Sequence, residues 1–242
     1  DLNEELFDSD LIDEIWHDPL VQSNYERVMN EFTIISEHSP YFFNRIKIIA
    51  EDAYLPTIED IQKAYCKNLS HQSLSFLLNN KIKILLNDVG GGSIERAKWH
   101  EYLHNVSYII YVVSLCDFDE LSLENGERKT LESFAIFKEL FDIRDVRNTT
   151  IILVLNKIDR FKKLMQNQSK QQLFLDVYSD YKGKCSEHHM HDCIEHIKKT
   201  YLSIAKPHYD KEITIVEVCS FDSKSVNNLM QIVTKTISKD NE

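Results

Sequence analysis

TIILVLNKID, residues 150–159, is the stretch that decides the fold. Ile151 to Leu155 are apolar without a break. A strand with one wet face alternates apolar and polar residues, so an unbroken run implies burial on both faces, the condition of a strand inside a helix-covered parallel sheet. Outward from it, LSFLL (74–78), KIKILLNDV (81–89), YIIYVVSL (108–115) and ITIVEVC (213–219) are further short runs rich in β-branched residues. Helical patterns over 93–105, 126–142, 187–205 and 223–238 separate the later runs. That alternation predicts an α/β domain with a mostly parallel sheet flanked by helices. The first two runs, linked by Asn79-Asn80, predict an antiparallel hairpin at one edge.

From about Asp10 to Lys67 the pattern is helical instead. Leu11, Ile12, Ile15 and Trp16 share one helical face, and Phe42, Phe43, Ile46, Ile48 and Ile49 form a second stripe. Ser39-Pro40 starts one helix, and Thr57, with Asp60 three residues on, is the N-cap of another. KLMQNQSKQQ (163–172) is polar enough to predict a mobile loop. The reading divides the chain into 1–69, helical, and 70–242, α/β.

The 242 residues carry a net charge of −11, which excludes nucleic acid as the main partner, because phosphate binding wants a basic face. Arg160 to Lys163 reads as a solvated helix start. No apolar run approaches the roughly 20 residues of a membrane helix, and no signal peptide is visible. Cys66, Cys116, Cys185, Cys193 and Cys219 are odd in number and unevenly spaced, which reads as reduced thiols in the cytosol. Asp1 in place of methionine leads us to expect a chain that begins partway into a longer product.

Ligands of open parallel sheets bind at the carboxyl ends of the strands. One such end is Asp88-Val89-Gly90-Gly91-Gly92, which holds three of the chain's five glycines. A carboxylate at the strand tip can hold magnesium through water, and a glycine amide beyond it can approach a phosphate oxygen. Taken alone, it reads equally as a flexible strand-to-helix turn. The second end is Asn156-Lys157-Ile158-Asp159. A carboxylate offers paired acceptors that match the N–H groups of guanine's Watson–Crick edge, and adenine would leave it desolvated and unpaired. The Lys157 stem can lie across the base.

Together these ends resemble the alpha subunit of heterotrimeric G proteins, with Glu95-Arg96 and Lys98-Trp99 following the first and Asn-Lys-x-Asp the second. Ile15-Trp16-His17-Asp18, Val21-Gln22 and Tyr54-Leu55-Pro56-Thr57 resemble that family's helical insertion and its exit into switch I. Cys219 and Asp222-Ser223-Lys224 resemble the segment that meets guanine through backbone amides, with Ser220 in place of an alanine. The resemblance implies a GTPase-like fold with a partial all-α insertion at its N-terminal end. It implies a signal transducer holding GTP or GDP with Mg2+ through Asp88, Val89, Gly90, Gly91, Gly92, Asn156, Lys157, Asp159 and Ser220. It further implies a beta-gamma dimer meeting Arg96, Lys98 and an exposed Trp99, a seven-helix receptor, an effector, and a cytoplasmic protein associated peripherally with the inner face of the plasma membrane.

Departures from the pattern bear on activity. The phosphate loop Gly-x-x-x-x-Gly-Lys-Ser/Thr is absent, and Gly183-Lys184 is a decoy, followed by Cys185 and with Tyr178 where the first glycine would stand. The loop's strand would lie between 81–89 and 108–115, which must then pair directly or leave a gap. The switch I arginine, worth roughly 10³–10⁵ in rate, falls on Tyr65; the magnesium threonine falls on Asn68, a weaker ligand, and the water-orienting glutamine on Gly92. No catalytic position is intact, and slow or undetectable hydrolysis is expected. The alternative is a binding module that acts through switch II without tight nucleotide binding. The chain ends at Glu242, short of the family's receptor-binding tail. Finally, Cys185-Ser186-Glu187-His188-His189-Met190-His191-Asp192-Cys193-Ile194-Glu195-His196 offers zinc ligands, although its spacing matches no closed zinc site and surface histidines are the simpler reading.

Overall fold

The computed structural model describes residues 8–31, 38–64, 72–78, 81–122 and 126–239. The chain forms two compact units, 1–67 and 68–242.

The first unit is helical: α1 Ser9–His17, α2 Pro19–Glu31, α3 Ser39–Phe43, α4 Ile46–Ile49 and α5 Ile58–Lys63. Asp8 caps α1 by accepting from the amides of Asp10 and Leu11. Of the apolar face of α1, Trp16 is the residue that goes inside. Its indole donates to Asn44 Oδ1 at 2.6 Å and stacks on Phe43 at 4.9 Å. The stripe from Phe42 to Ile49 is split between two short helices by Asn44 and Arg45, and Ile46 is its buried member. Thr57 and Asp60 form a reciprocal capping box at α5. The buried Asp60 carboxylate also accepts from Tyr41 Oη at 2.7 Å. The Thr57 and Tyr41 hydroxyls hold that carboxyl well below the usual range.

The second unit begins with the hairpin β1 Gln72–Leu78 and β2 Ile82–Asp88, antiparallel with Gln72 opposite Asp88; its link at 79–80 lies outside the described residues. A separate parallel sheet has the order β3 Tyr108–Ser114, β4 Thr150–Asn156, β5 Thr214–Glu217. The central strand β4 explains the opening run, since Ile151 to Leu155 are all almost fully buried. Its odd-numbered residues Ile151, Leu153 and Leu155 pack with Phe137, Phe141, Ile194 and Ile197. Its even-numbered Ile152 and Val154 pack with Val216, Val218, Val233 and Ile237. The period-two alternation of the pleat therefore feeds two cores. Each such side chain stabilises the fold by about 1.5–3 kcal/mol.

The remaining helices are α6 Ser93–Arg96, α7 Trp99–Tyr102, α8 Lys129–Leu140, α9 Ile158–Leu164, α10 Gln168–Val177, α11 Met190–Ala205 and α12 Ser223–Lys239. Two expectations are corrected. The pattern over 93–105 is two short helices rather than one. The polar stretch 163–172 is no loop: it contains the end of α9 and the start of α10, capped by Asn167, whose side chain accepts from the amides of Ser169 and Lys170. Lys163, Gln166, Gln168 and Gln172 are exposed, Lys170 and Gln171 are half-buried, and Phe174 anchors the helix within. Strands 82–88 and 108–114 lie in different sheets, so of the two alternatives the fold takes the gap. Val112 on β3 is 57% exposed and Leu85 on β2 63%. No described helix is long and apolar enough to cross a membrane.

Candidate nucleotide site

The parallel register places Ser114 opposite Asn156 and Leu155 opposite Glu217, so the loops after β3, β4 and β5 leave the same edge of the sheet. Asn156 ties two of them together. Its Oδ1 accepts the Ser220 amide at 3.2 Å and its Nδ2 donates to Ser220 Oγ at 3.4 Å. Its carbonyl also accepts the Leu115 amide at 3.0 Å. Lys157 follows in the left-handed region, φ 64°, which turns the chain sharply into α9. The Cys116 thiol donates to the Lys157 carbonyl at 3.7 Å, and the Ile158 amide donates to Val218 O at 3.4 Å.

Asp159, exposed in the first turn of α9, lies beside Cys219; burial pushes that thiol up, and the Asp159 carboxylate adds to the rise. The loop after β5 is itself pinned. Ser225 Oγ accepts the Cys219 amide at 2.9 Å, and Asp222 accepts the Lys224 and Ser225 amides at 3.2 and 3.1 Å. The structure thus brings Asn156, Lys157, Asp159, Cys219 and Ser220 into one place.

An acidic turn after β3, absent from the sequence reading, organises the cations around Lys157. Glu120 accepts from Arg160 at 2.6 Å and Lys129 at 2.7 Å, with Lys157 Nζ at 3.8 Å. Asp119 accepts from Lys170 at 2.5 Å. Burial raises the Glu120 carboxyl, but Lys129, Lys157 and Arg160 outweigh it and hold the group below its ordinary value. Asp117 goes the other way: burial, then the neighbouring Glu120, push it up to about 6. The signal was available, since Cys-Asp-Phe-Asp-Glu (116–120) directly follows a strand-like run.

The turn Asp88-Val89-Gly90-Gly91-Gly92 is built by its own contacts. Trp99 Nε1 donates to Gly90 O at 3.0 Å, and an Arg96 guanidinium nitrogen donates to Gly91 O at 2.9 Å. A Cβ at Gly90 would stand 2.6 Å from Glu95 Cγ, whereas one at Gly91 would meet nothing within 4 Å. Gly90 is thus required by the Glu95 stem, and Gly91 faces open space that an anion could approach. Asp88 is exposed at the strand tip. Trp99 is 8% exposed and packs in the main core, correcting the expectation of an exposed indole. Arg96 also pairs with Glu139 at 3.4 Å, while Lys98 is exposed. Gly92 is the residue before α6. Tyr65 and Asn68 lie outside the described residues.

The residues present fit the base end of a nucleotide well, with acceptors at Asp159 and an ordered Ser220 loop. For a magnesium ion, Asp88 is the described candidate. In the stretch 185–196, His189 pairs with Ser186 and His196 with Asp180. Among the described residues no three His, Cys, Asp or Glu side chains converge as metal ligands.

Comparison with known proteins gives one consistent result. A family model described as G-protein alpha subunit matches residues 1–237. The chain is 26% identical to guanine nucleotide-binding protein subunit alpha-1 of Trichomonas vaginalis over 240 residues, covering 98% of this chain and 57% of that protein. It is 28% identical over 225 residues to an alpha-1 subunit of Caenorhabditis elegans, covering 93% and 61%. It is 36% identical over 157 residues to an alpha-2 subunit of Schizosaccharomyces pombe, covering 64% and 43%. The chain therefore spans less than two thirds of the length of these relatives.

Proposed function

The chain belongs to the G-protein alpha-subunit family, and from that premise we propose that it binds guanine nucleotide as a signal transducer whose hydrolysis of GTP is impaired. The observation that carries this reading is the convergence of Asn156, Asp159 and Ser220 at the ends of β4 and β5. Asp159 pairs with the guanine edge, the Ser220 loop presents backbone amides, and the Lys157 stem covers the base. The Glu120 anion steadies Lys157 for that role.

Impaired hydrolysis rests on residue types. Gly92 has no side chain with which to orient water, and Tyr65 cannot stabilise developing phosphate charge as an arginine does. At the other end of the nucleotide, Asp88 would hold Mg2+ and the open side of Gly91 would admit a phosphate oxygen. A beta-gamma dimer would meet Lys98 and Arg96, while Trp99 acts from within by holding Gly90. A receptor, an effector and placement at the inner face of the plasma membrane complete the proposal.

The gap between β2 and β3 favours a second reading, a switch II binding module without tight nucleotide affinity. Titration with a fluorescent guanine nucleotide, and with its adenine counterpart as control, separates the two. The first reading expects GDP to bind at least about tenfold tighter than ADP, a difference of about 1.4 kcal/mol. Asp159→Ala would abolish that preference, and GTP turnover would stay far below that of an arginine-bearing alpha subunit. Equal, weak binding of both nucleotides would support the module instead, and ordinary turnover would overturn impaired hydrolysis.

A further inference from the structure

The functional reading uses neither Cys185 nor Cys193, yet the fold brings their sulfurs to 3.8 Å. Cys193 is the fourth residue of α11 and fully buried; Cys185 is half-buried in the segment that leads to that helix. Around them, Cys185 Sγ contacts Met165 Sδ at 3.4 Å, while Cys193 Sγ lies 3.9 Å from both Tyr181 Oη and the Lys184 carbonyl. Tyr181 Oη in turn donates to the Lys184 carbonyl at 3.0 Å, which fixes the approach of the segment to the helix. Two thiols so placed need to close only from 3.8 Å to the roughly 2 Å of a sulfur–sulfur bond.

We propose that Cys185 and Cys193 are a modification site, closing to a reversible intrachain disulfide when the chain meets a peroxide. The step balances. The Cys193 thiolate attacks one oxygen of hydrogen peroxide and expels hydroxide, leaving a sulfenic acid. The Cys185 sulfur then attacks that sulfur; the sulfenic hydroxyl leaves with the Cys185 proton as water. The two thiols lose two electrons, and peroxide becomes two waters. The Cys185 thiol in contact with Cys193 lowers the Cys193 pKa against the opposing effect of burial, which favours it as the attacking sulfur. Reduced thiols are the resting state of an intracellular protein, and a pair of this kind forms its bridge transiently. The bridge would tie the 185–189 segment to the first turn of α11.

The test is peroxide treatment of the full chain, followed by thiol alkylation, proteolysis without reductant and mass spectrometry. The expected tryptic product is one peptide, residues 185–198, with Cys185 and Cys193 unalkylated and joined to each other, lighter by two hydrogens until dithiothreitol opens it. Cys219→Ser and Cys116→Ser leave it in place, and Cys185→Ser and Cys193→Ser each abolish it while the reduced chain keeps its circular dichroism. Alkylation of both cysteines after peroxide treatment would overturn the proposal, as would a sulfinic acid on Cys193 with Cys185 still free. Because the readout is covalent and needs no nucleotide, its failure leaves the guanine reading untouched, and the converse holds.

Discussion

Gly90 and Gly91 are adjacent, yet the structure gives them opposite demands. The Glu95 stem occupies the space where a Gly90 Cβ would go, and Gly91 faces open space. Gly90→Ala should destabilise the chain by about 1–3 kcal/mol, and Gly91→Ala should fall within about 0.5 kcal/mol of wild type, both read from urea denaturation. A second prediction concerns Asp117, whose carboxyl is pushed by burial up to about 6, above the ordinary carboxylate range. A carboxyl raised on folding contributes stability that is present below its unfolded pKa and lost as pH rises through its folded one. The groups that face it are Ser114, Glu120, Lys129 and Lys157. Asp117→Asn removes this dependence, so the melting temperature of the variant relative to wild type should climb between about pH 4 and 7. The gain at neutral pH should be at most about 3 kcal/mol. A flat difference across that range would contradict the buried-carboxyl account.

At the scale of elements, the side-chain cap of α5 was legible, while those of α1 and α10, Asp8 and Asn167, were not foreseen. Thr57 and Asp60 form the reciprocal pair their spacing predicts, so Thr57→Ala should weaken α5 by about 1–2 kcal/mol. Amide exchange over 58–63 would register the loss, and unchanged protection there would contradict it. The stretch 163–172 was misread for a physical reason. Lys163, Gln166, Gln168 and Gln172 are polar because they face solvent, and the Asn167 cap that starts α10 lay unnoticed among them. The strands were legible because β4 is buried on both faces. Hidden at this scale was the turn Asp117–Asp119 with Glu120, since its ion pairs come from Lys129, Arg160 and Lys170, distant in sequence.

At the scale of the whole molecule, family membership was readable from two strand ends, and their local chemistry from residue type. The base end was legible because Asn156, Lys157 and Asp159 are contiguous and the 219–224 segment has its own pattern. Trp99 was not, since periodicity over a stretch that breaks into α6 and α7 does not tell which side of the indole meets the core. The central claim is that Asp159 and the Ser220 loop read guanine, and amide hydrogen exchange with and without saturating nucleotide tests it most directly. GDP should slow exchange over 157–159 and 218–222, and ADP at the same concentration should not. Protection by both nucleotides alike, or protection confined to other segments, would contradict the account.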